Sequence, residues 1–246
     1  MIIVDSHIHC GVQVVDQPWS AIRPLLDLAG IDRACLFAPV EDIYDRYRSD
    51  FVDDADWRAC RRRAHNYLLQ MASQDERIIP YLFVWNDFAV EELERGFKGI
   101  KWHRHHGEPE YQYADPRCED MIEAICERRL PVVLEETFSN TQDFLARIKG
   151  RTPVIIPHLG MLNGGFERLE RAGSWQQANV YADTALASPA ELNTYLAVHG
   201  PERLVFGSDW PFGLPAAEVA KLEDLDLSDE AFQAVCGSTI LRLTGS

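Results

Sequence analysis

Short runs of β-branched and other apolar residues alternate along the chain with longer segments whose apolar positions recur at helical spacing. That alternation predicts parallel strands joined by crossover helices. Eight runs read as strands: Ile2–Val4, Arg33–Ala38, Ile78–Val84, Gly99–Trp102, Pro131–Leu134, Val154–Ile156, Val180–Ala182 and Leu204–Phe206. Between them, Ser20–Leu28 is a helix stopped by Gly30, and Asp53–Gln74 is a long Arg- and Ala-rich helix. Asp115-Pro116 and Ser188-Pro189 each open a helix with proline in the first turn, the former continuing through Ile122 and Ile125 to Arg128. Ser228–Leu243 reads as an amphipathic closing helix. Strand and helix units in this number, with no long linker, short repeat or low-complexity tract, predict one α/β domain over residues 1–246, a closed (β/α)8 TIM barrel. The competing doubly wound sheet lacks its usual support, a glycine-rich phosphate loop after the first strand.

In such a barrel, polar residues at the C-terminal ends of the strands converge on one open face. The first strand leads into Asp5-Ser6-His7-Ile8-His9, and residues two apart on a strand share a face, so both imidazoles can reach one point. Neutral imidazoles are good ligands for zinc and its neighbours. The sixth strand exits into His158-Leu159-Gly160, ahead of the flexible Asn163-Gly164-Gly165, and the eighth into Gly207-Ser208-Asp209-Trp210-Pro211. Taken singly, His158 reads equally well as a packed core histidine and Asp209 as a turn or cap residue. Four such residues at three strand exits on one face instead predict a metal centre of His7, His9, His158 and Asp209.

Composition narrows the partners. Lys+Arg 24 against Asp+Glu 39 gives a net charge of −15, which repels phosphate backbones and anionic membranes. Nucleic acid and membrane are therefore not expected partners, and no stretch is long enough to span a bilayer. The 6 cysteines are scattered without a zinc-knuckle or redox spacing, as buried thiols in a reducing compartment would be, so a cytoplasmic location is expected. On so acidic a chain, the basic cluster Lys101, His103 and Arg104 stands out, as do Arg46 and Arg48 in the loop after the second strand. These cations suggest a small substrate carrying a carboxylate or similar anion. His103 is the residue expected to touch it, and Tyr113 is an aromatic candidate beside it. His105 and His106 read as solvated loop residues.

The chain resembles the amidohydrolase superfamily, and within it the amidohydrolase-2 branch that includes aminocarboxymuconate semialdehyde decarboxylase and related hydrolases. The resemblance covers nearly the whole chain. It rests on Asp5–His9, Gly96–His103, Leu130–Leu134, His158-Leu159-Gly160 and, most specifically, Gly207–Pro211. It implies that His7, His9 and Asp209 ligate the metal, while His158 bonds to the activated water or the substrate. Relatives often dimerise, which makes a homodimer an expected assembly. One departure matters: where the branch usually ends its fifth strand in a histidine ligand, this chain has Glu135 followed by Glu136. Strand alternation turns Val133 and Glu135 inwards and Glu136 outwards, so Glu135 is expected to ligate the metal. The competing reading pairs Glu135 with Lys101 across adjacent strands.

One divalent cation is expected, Zn2+ first, with the added carboxylate moving preference towards Mn2+. Such an ion lowers the pKa of water from 15.7 to about 7, so hydrolysis of a lactone, amide or ester-like bond is the leading expectation, with Asp209 as base and His158 assisting. Decarboxylation of an unsaturated or aromatic acid is the alternative. A non-catalytic metal- or ligand-binding barrel is the reading from a different class.

Overall fold

The computed structural model describes residues 1–48 and 50–246. Eight strands form one sheet in sequence order: β1 (Val4–His9), β2 (Arg33–Phe37), β3 (Ile78–Phe83), β4 (Gly99–His103), β5 (Val132–Glu135), β6 (Val154–Ile156), β7 (Val180–Asp183) and β8 (Leu204–Val205). Neighbours pair in parallel throughout. The ring is completed between β8 and β1, where Ser6 N–H donates to the Phe206 carbonyl (2.9 Å), Asp209 N–H to that of His7 (2.8 Å) and His9 N–H to that of Trp210 (3.0 Å). Helices α1 (Trp19–Ala29), α2 (Ala55–Gln74), α3 (Pro116–Arg128), α4 (Phe138–Ile148), α5 (Phe166–Arg171), α6 (Pro189–His199), α7 (Pro215–Glu223), α8 (Asp229–Gln233) and α9 (Thr239–Thr244) follow in chain order. The (β/α)8 barrel is thus the observed architecture. Between β3 and β4, a short 3-10 segment, Val90–Arg95, takes the place of the crossover helix and ends at Gly96 with φ 98°.

Two apolar cores follow from strand alternation. Val4, Cys35, Ile79, Val133, Ile155 and Val205 fill the barrel, whereas Leu36, Ile100, Trp102, Leu134 and Ile156 face the helices. The closing segment is split, with a π-type stretch at Ala234–Ser238 between α8 and α9, and it sends Ile240 into the inner core to stopper the N-terminal end of the barrel. Gly99 is required where it stands, because a Cβ there would lie 2.2 Å from the Tyr81 ring.

The first strand differs from expectation. It begins at Val4 and runs through both histidines to His9, while Met1 and Ile2 are exposed. Three residues of β1 advance against two of β2 between the pairs Asp5↔Ala34 and Ile8↔Leu36. This bulge reverses the alternation. Val4 therefore packs inside and Ile8 outside, which leaves His7 and His9 turned to the open end.

Helix α2 lays Arg61, Ala64, His65 and Leu68 against the barrel. His65 is 5% exposed, packs edge-on to Phe97 and has no partner on Nε2 among the described residues. Burial, reinforced by Arg61 and Arg95, lowers its pKa from 6.5 to about 3. The folded state thus resists a proton that the unfolded chain accepts below pH 6.5, so this contribution is intact above that pH and is lost progressively towards pH 3. We expect wild type to lose roughly 1 to 3 kcal/mol more than His65→Leu between pH 7 and 4.5 in urea unfolding. Equal losses in the two proteins would dismiss His65 as a source of acid sensitivity.

Candidate metal centre and active site

Strand exits from β1, β4, β5, β6, β7 and β8 bring one set of buried polar side chains to the open end of the barrel. Asp183, the last residue of β7, ties three of these strands together. Its Oδ1 accepts the backbone N–H groups of His158 (2.8 Å) and Ala185 (3.1 Å), and its Oδ2 lies 2.7 Å from His7 Nδ1. The acceptor there places the proton of His7 on Nδ1 and leaves the Nε2 lone pair facing the centre. His158 is fixed the same way: its Nδ1 donates to the Ala185 carbonyl at 3.0 Å, so Nε2 is free.

Two polar groups meet at His7 Nε2. Asp209 Oδ1 is 3.2 Å from it and 3.2 Å from His9 Nε2, and Lys101 Nζ is 3.1 Å from it. His158 Nε2 stands 3.7 Å from Asp209 Oδ2 and 3.8 Å from Glu135 Oε2. His158 (φ 55°) and Asp209 (φ 56°) both carry left-handed backbone, a conformation costing on the order of 1 to 3 kcal/mol that concentrates at functional positions.

The electrostatics suit a cation. Glu135, Asp183 and Asp209 are three buried carboxylates with one buried ammonium, Lys101, among them. With imidazoles counted neutral and the buried Asp5 carboxyl, which burial pushes up to about 7, left out, three minus one leaves an excess of at least two negative charges for a divalent ion to balance. Burial, then Lys101, lowers the His7 pKa, keeping the imidazole neutral and able to ligate. Burial works to raise the Asp209 pKa, but His7, His9 and His158 outweigh it and hold the carboxylate well below its usual range. His158 responds to the same excess: burial would lower its pKa, yet Asp183, Glu135 and Asp209 raise it. The donors His7, His9 and Asp209 lie within 4.8 Å of one another, as do His7, Glu135 and His158. This set fits a divalent metal, with the Lys101 ammonium as the alternative occupant of the His7 Nε2 lone pair.

Glu135 and Glu136 part as alternation requires. Glu135 Oε2 pairs with Lys101 (3.1 Å), so the cross-strand ion pair is made, while Oε1 meets His103 Nε2 (3.1 Å) and His105 Nε2 (2.6 Å). Glu136 turns outwards to Tyr113 OH (3.1 Å), Asn140 and Arg104 (3.6 Å). The expected substrate contacts therefore divide. Lys101 and His103 are at the centre. Tyr113 and Arg104 gather around Glu136 on the outer side of β5. Arg46 is held by Glu108 and His105 above the mouth. Arg48 is exposed and pairs with Asp50. Every one of these cations already has a carboxylate partner. The expectation of a solvated loop fits His106, which is exposed, but His105 reaches back to Glu135 and belongs to the site.

Sequence reasoning passed over Asp183, although it stands one residue beyond the Val180–Ala182 run, the same strand-exit signal that marks His158 and Asp209. The expected strand stopped short of it, and its partner His7 is 176 residues away.

Residues 4–245 match the family model described as Amidohydrolase. No curated protein matches the chain. Among solved structures, 2,6-dihydroxybenzoate decarboxylase from Rhizobium aligns with TM-score 0.76 and 15% identity over 99% of this chain and 98% of that one. Dihydroxybenzoic acid decarboxylase from Polaromonas sp. JS666, with bound manganese and the inhibitor 2-nitroresorcinol, gives 0.75 and 14% over 99% and 97%. A Pseudomonas putida protein provisionally named a 2-pyrone-4,6-dicarboxylic acid hydrolase gives 0.70 and 19% over 99% and 97%. At these identities the likeness is one of fold.

Asp183→Asn tests the junction. The amide would keep an oxygen for His158 N–H and Ala185 N–H but present N–H to His7, forcing the imidazole proton onto Nε2. Metal affinity, read by chelator competition, should fall about 10- to 100-fold with the barrel still folded. Unchanged affinity with unchanged His7 ring nitrogen resonances would refute this role for Asp183.

Proposed function

We propose, for a chain that belongs to the amidohydrolase family, a metal-dependent enzyme that removes carbon dioxide non-oxidatively from a small unsaturated or aromatic acid. The observation that carries it is the convergence of His7 Nε2 and His9 Nε2 on Asp209 Oδ1, each at 3.2 Å, inside a buried excess of negative charge. His7, His9 and Asp209 would hold the ion, with Glu135 facing it through Oε2. Imidazole and carboxylate donors together suit zinc and manganese. When bound, the ion supplies a Lewis-acidic charge for the oxygens of an acidic substrate.

The residues do the rest. With Arg46, Arg48, Lys101 and Arg104 all paired to carboxylates, the substrate anion finds its main attraction at the metal position. The loops after β1, β6, β7 and β8, adjacent around the ring, expose Val14, Met161, Leu186, Phe212 and Leu214. Phe212 lies 6.0 Å from the His9 ring. This apolar arc suits the face of a planar ring, opposite the polar arc of His103, His105 and Glu135. When the C–C bond to the carboxylate breaks, its electron pair stays on the ring carbon and takes up a proton. His158 Nε2, facing Asp209 Oδ2 at 3.7 Å and Glu135 Oε2 at 3.8 Å across the centre, would deliver that proton.

Support also comes from the two decarboxylases that share the fold. Hydrolysis of a pyrone-like lactone is the second reading. It is favoured by the Pseudomonas putida neighbour and by the 3.7 Å gap between His158 Nε2 and Asp209 Oδ2, which two hydrogen bonds to one water could bridge. This order reverses the one drawn from sequence.

Protein stripped by chelator should lose activity and regain it with Mn2+ or Zn2+. Incubated with hydroxybenzoates and with carboxylated pyrones, it should release carbon dioxide from the former. Acid release from the pyrones alone would transfer the assignment to hydrolysis, and activity fully retained without metal would refute the metal-dependent reading. His158→Gln should lower kcat by about 10²- to 10⁴-fold with metal content unchanged. Undiminished kcat in that variant would remove His158 from the proton path.

A further inference from the structure

The chain carries two His-x-His pairs at strand ends, each beside a carboxylate from the adjacent strand. His7 and His9 on β1 face Asp209 after β8. His103, ending β4, and His105 just beyond it face Glu135 on β5. By donor type the second cluster is as fit for a metal as the first, and its donor atoms also lie within 4.8 Å of one another. What separates the two is the partner on the far nitrogen.

His7 Nδ1 meets a carboxylate, which leaves Nε2 unprotonated and free to ligate. His105 Nδ1 meets the Arg46 guanidinium at 2.9 Å, within hydrogen-bond reach where the Glu108 carboxylate at 3.6 Å is not, and a guanidinium can only donate. Nδ1 must therefore accept, and the proton of the neutral ring sits on Nε2, aimed at Glu135 Oε1 at 2.6 Å. A nitrogen carrying that proton is a donor and cannot be a ligand. His103 Nε2 reaches the same oxygen at 3.1 Å, while its buried Nδ1 has no partner among the described residues. Glu135 Oε1 is thus occupied by two imidazoles, with only Oε2 turned to the centre and to Lys101. Arg46 is itself held in place. Its Nε donates to Glu108 Oε1 at 2.7 Å, and Glu108 Oε2 accepts from Tyr44 OH (2.7 Å) and from the backbone N–H of His105 (2.9 Å).

We infer that Arg46 is a positioning residue: by fixing the tautomer of His105, it reserves the second His-x-His pair for orienting Glu135 and excludes a second divalent cation. This rests on the metal-dependent reading only for the identity of the centre that Glu135 faces. The tautomer is a separate observable.

The test uses the full chain, with ring nitrogen NMR of the histidines and Zn2+ titration. In wild type, His105 should show an unprotonated Nδ1 and a protonated Nε2 both before and after Zn2+, with one Zn2+ bound per chain. In Arg46→Met the tautomers should mix and the stoichiometry should rise to two. The second Zn2+ should disappear again when His105→Gln is added, since an amide can donate to Glu135 but is a poor zinc ligand. Arg46→Lys retains a charge for Glu108 without the two-armed reach, so it should show the same gain if Arg46→Met does not fold. Two Zn2+ ions bound to wild type with His103 and His105 resonances shifting would overturn the inference. So would one Zn2+ and an unaltered His105 tautomer in both Arg46 variants. A wild type that binds no Zn2+ but shows the stated tautomer, lost in Arg46→Met, would defeat the metal-dependent reading and leave the positioning role standing.

Discussion

Three carboxylates, Glu135, Asp183 and Asp209, are withdrawn from water at the open end of the barrel with a single lysine ammonium among them. Burying an ionised group without a partner is costly enough that proteins usually shift its pKa or pair it instead. Here the excess is met locally by backbone N–H groups on Asp183, by imidazoles on Glu135 and by His7, His9 and His158 around Asp209. The remaining attraction for positive charge is the physical basis of the site. A divalent ion would answer it, held among imidazole and carboxylate donors that lie within 4.8 Å of one another.

Hydrogen-bond polarity then assigns roles to chemically identical side chains. His7, His105 and His158 are all imidazoles on one face, but their far nitrogens meet a carboxylate, a guanidinium and a carbonyl. A carboxylate or carbonyl partner accepts from Nδ1–H and so leaves Nε2 unprotonated, whereas a guanidinium donates to Nδ1 and leaves the proton on Nε2. Spacing in sequence does not distinguish the first His-x-His from the second. Asp183 and Arg46 do, and each comes from a different part of the chain.

The barrel permits many chemistries, and its neighbours by fold include both decarboxylases and a provisionally named hydrolase. What individualises this chain is the division of its mouth. Charged residues of the β2, β4 and β5 exits interlock, so that Arg46, Glu108, His105 and Glu135 form one connected wall. The β6, β7, β8 and β1 loops leave apolar side chains exposed. A planar acid would meet hydrogen-bonding groups on one side and apolar surface on the other.

The sequence by itself determined the order of the eight strands, because β-branched runs are local, but not where β1 begins, the short 3-10 link between β3 and β4 or the split of the closing helix. It also marked His7, His9, His158 and Asp209 as strand-exit residues and brought Glu135 to the inner face, since alternation in a strand depends only on near neighbours. It could not supply the β1 bulge, which arises from pairing against β2 and decides that both histidines turn inwards. Nor could it show that Tyr113 and Arg104 gather at Glu136 or that Arg46 is committed to Glu108, because loop side chains choose partners by distance in space. Asp183 and His105 became visible as site residues only in three dimensions. The ring of strands brings residue 183 to residue 7, and the loop after β2 lays Arg46 over His105, so that tertiary contacts fix which nitrogen holds each proton.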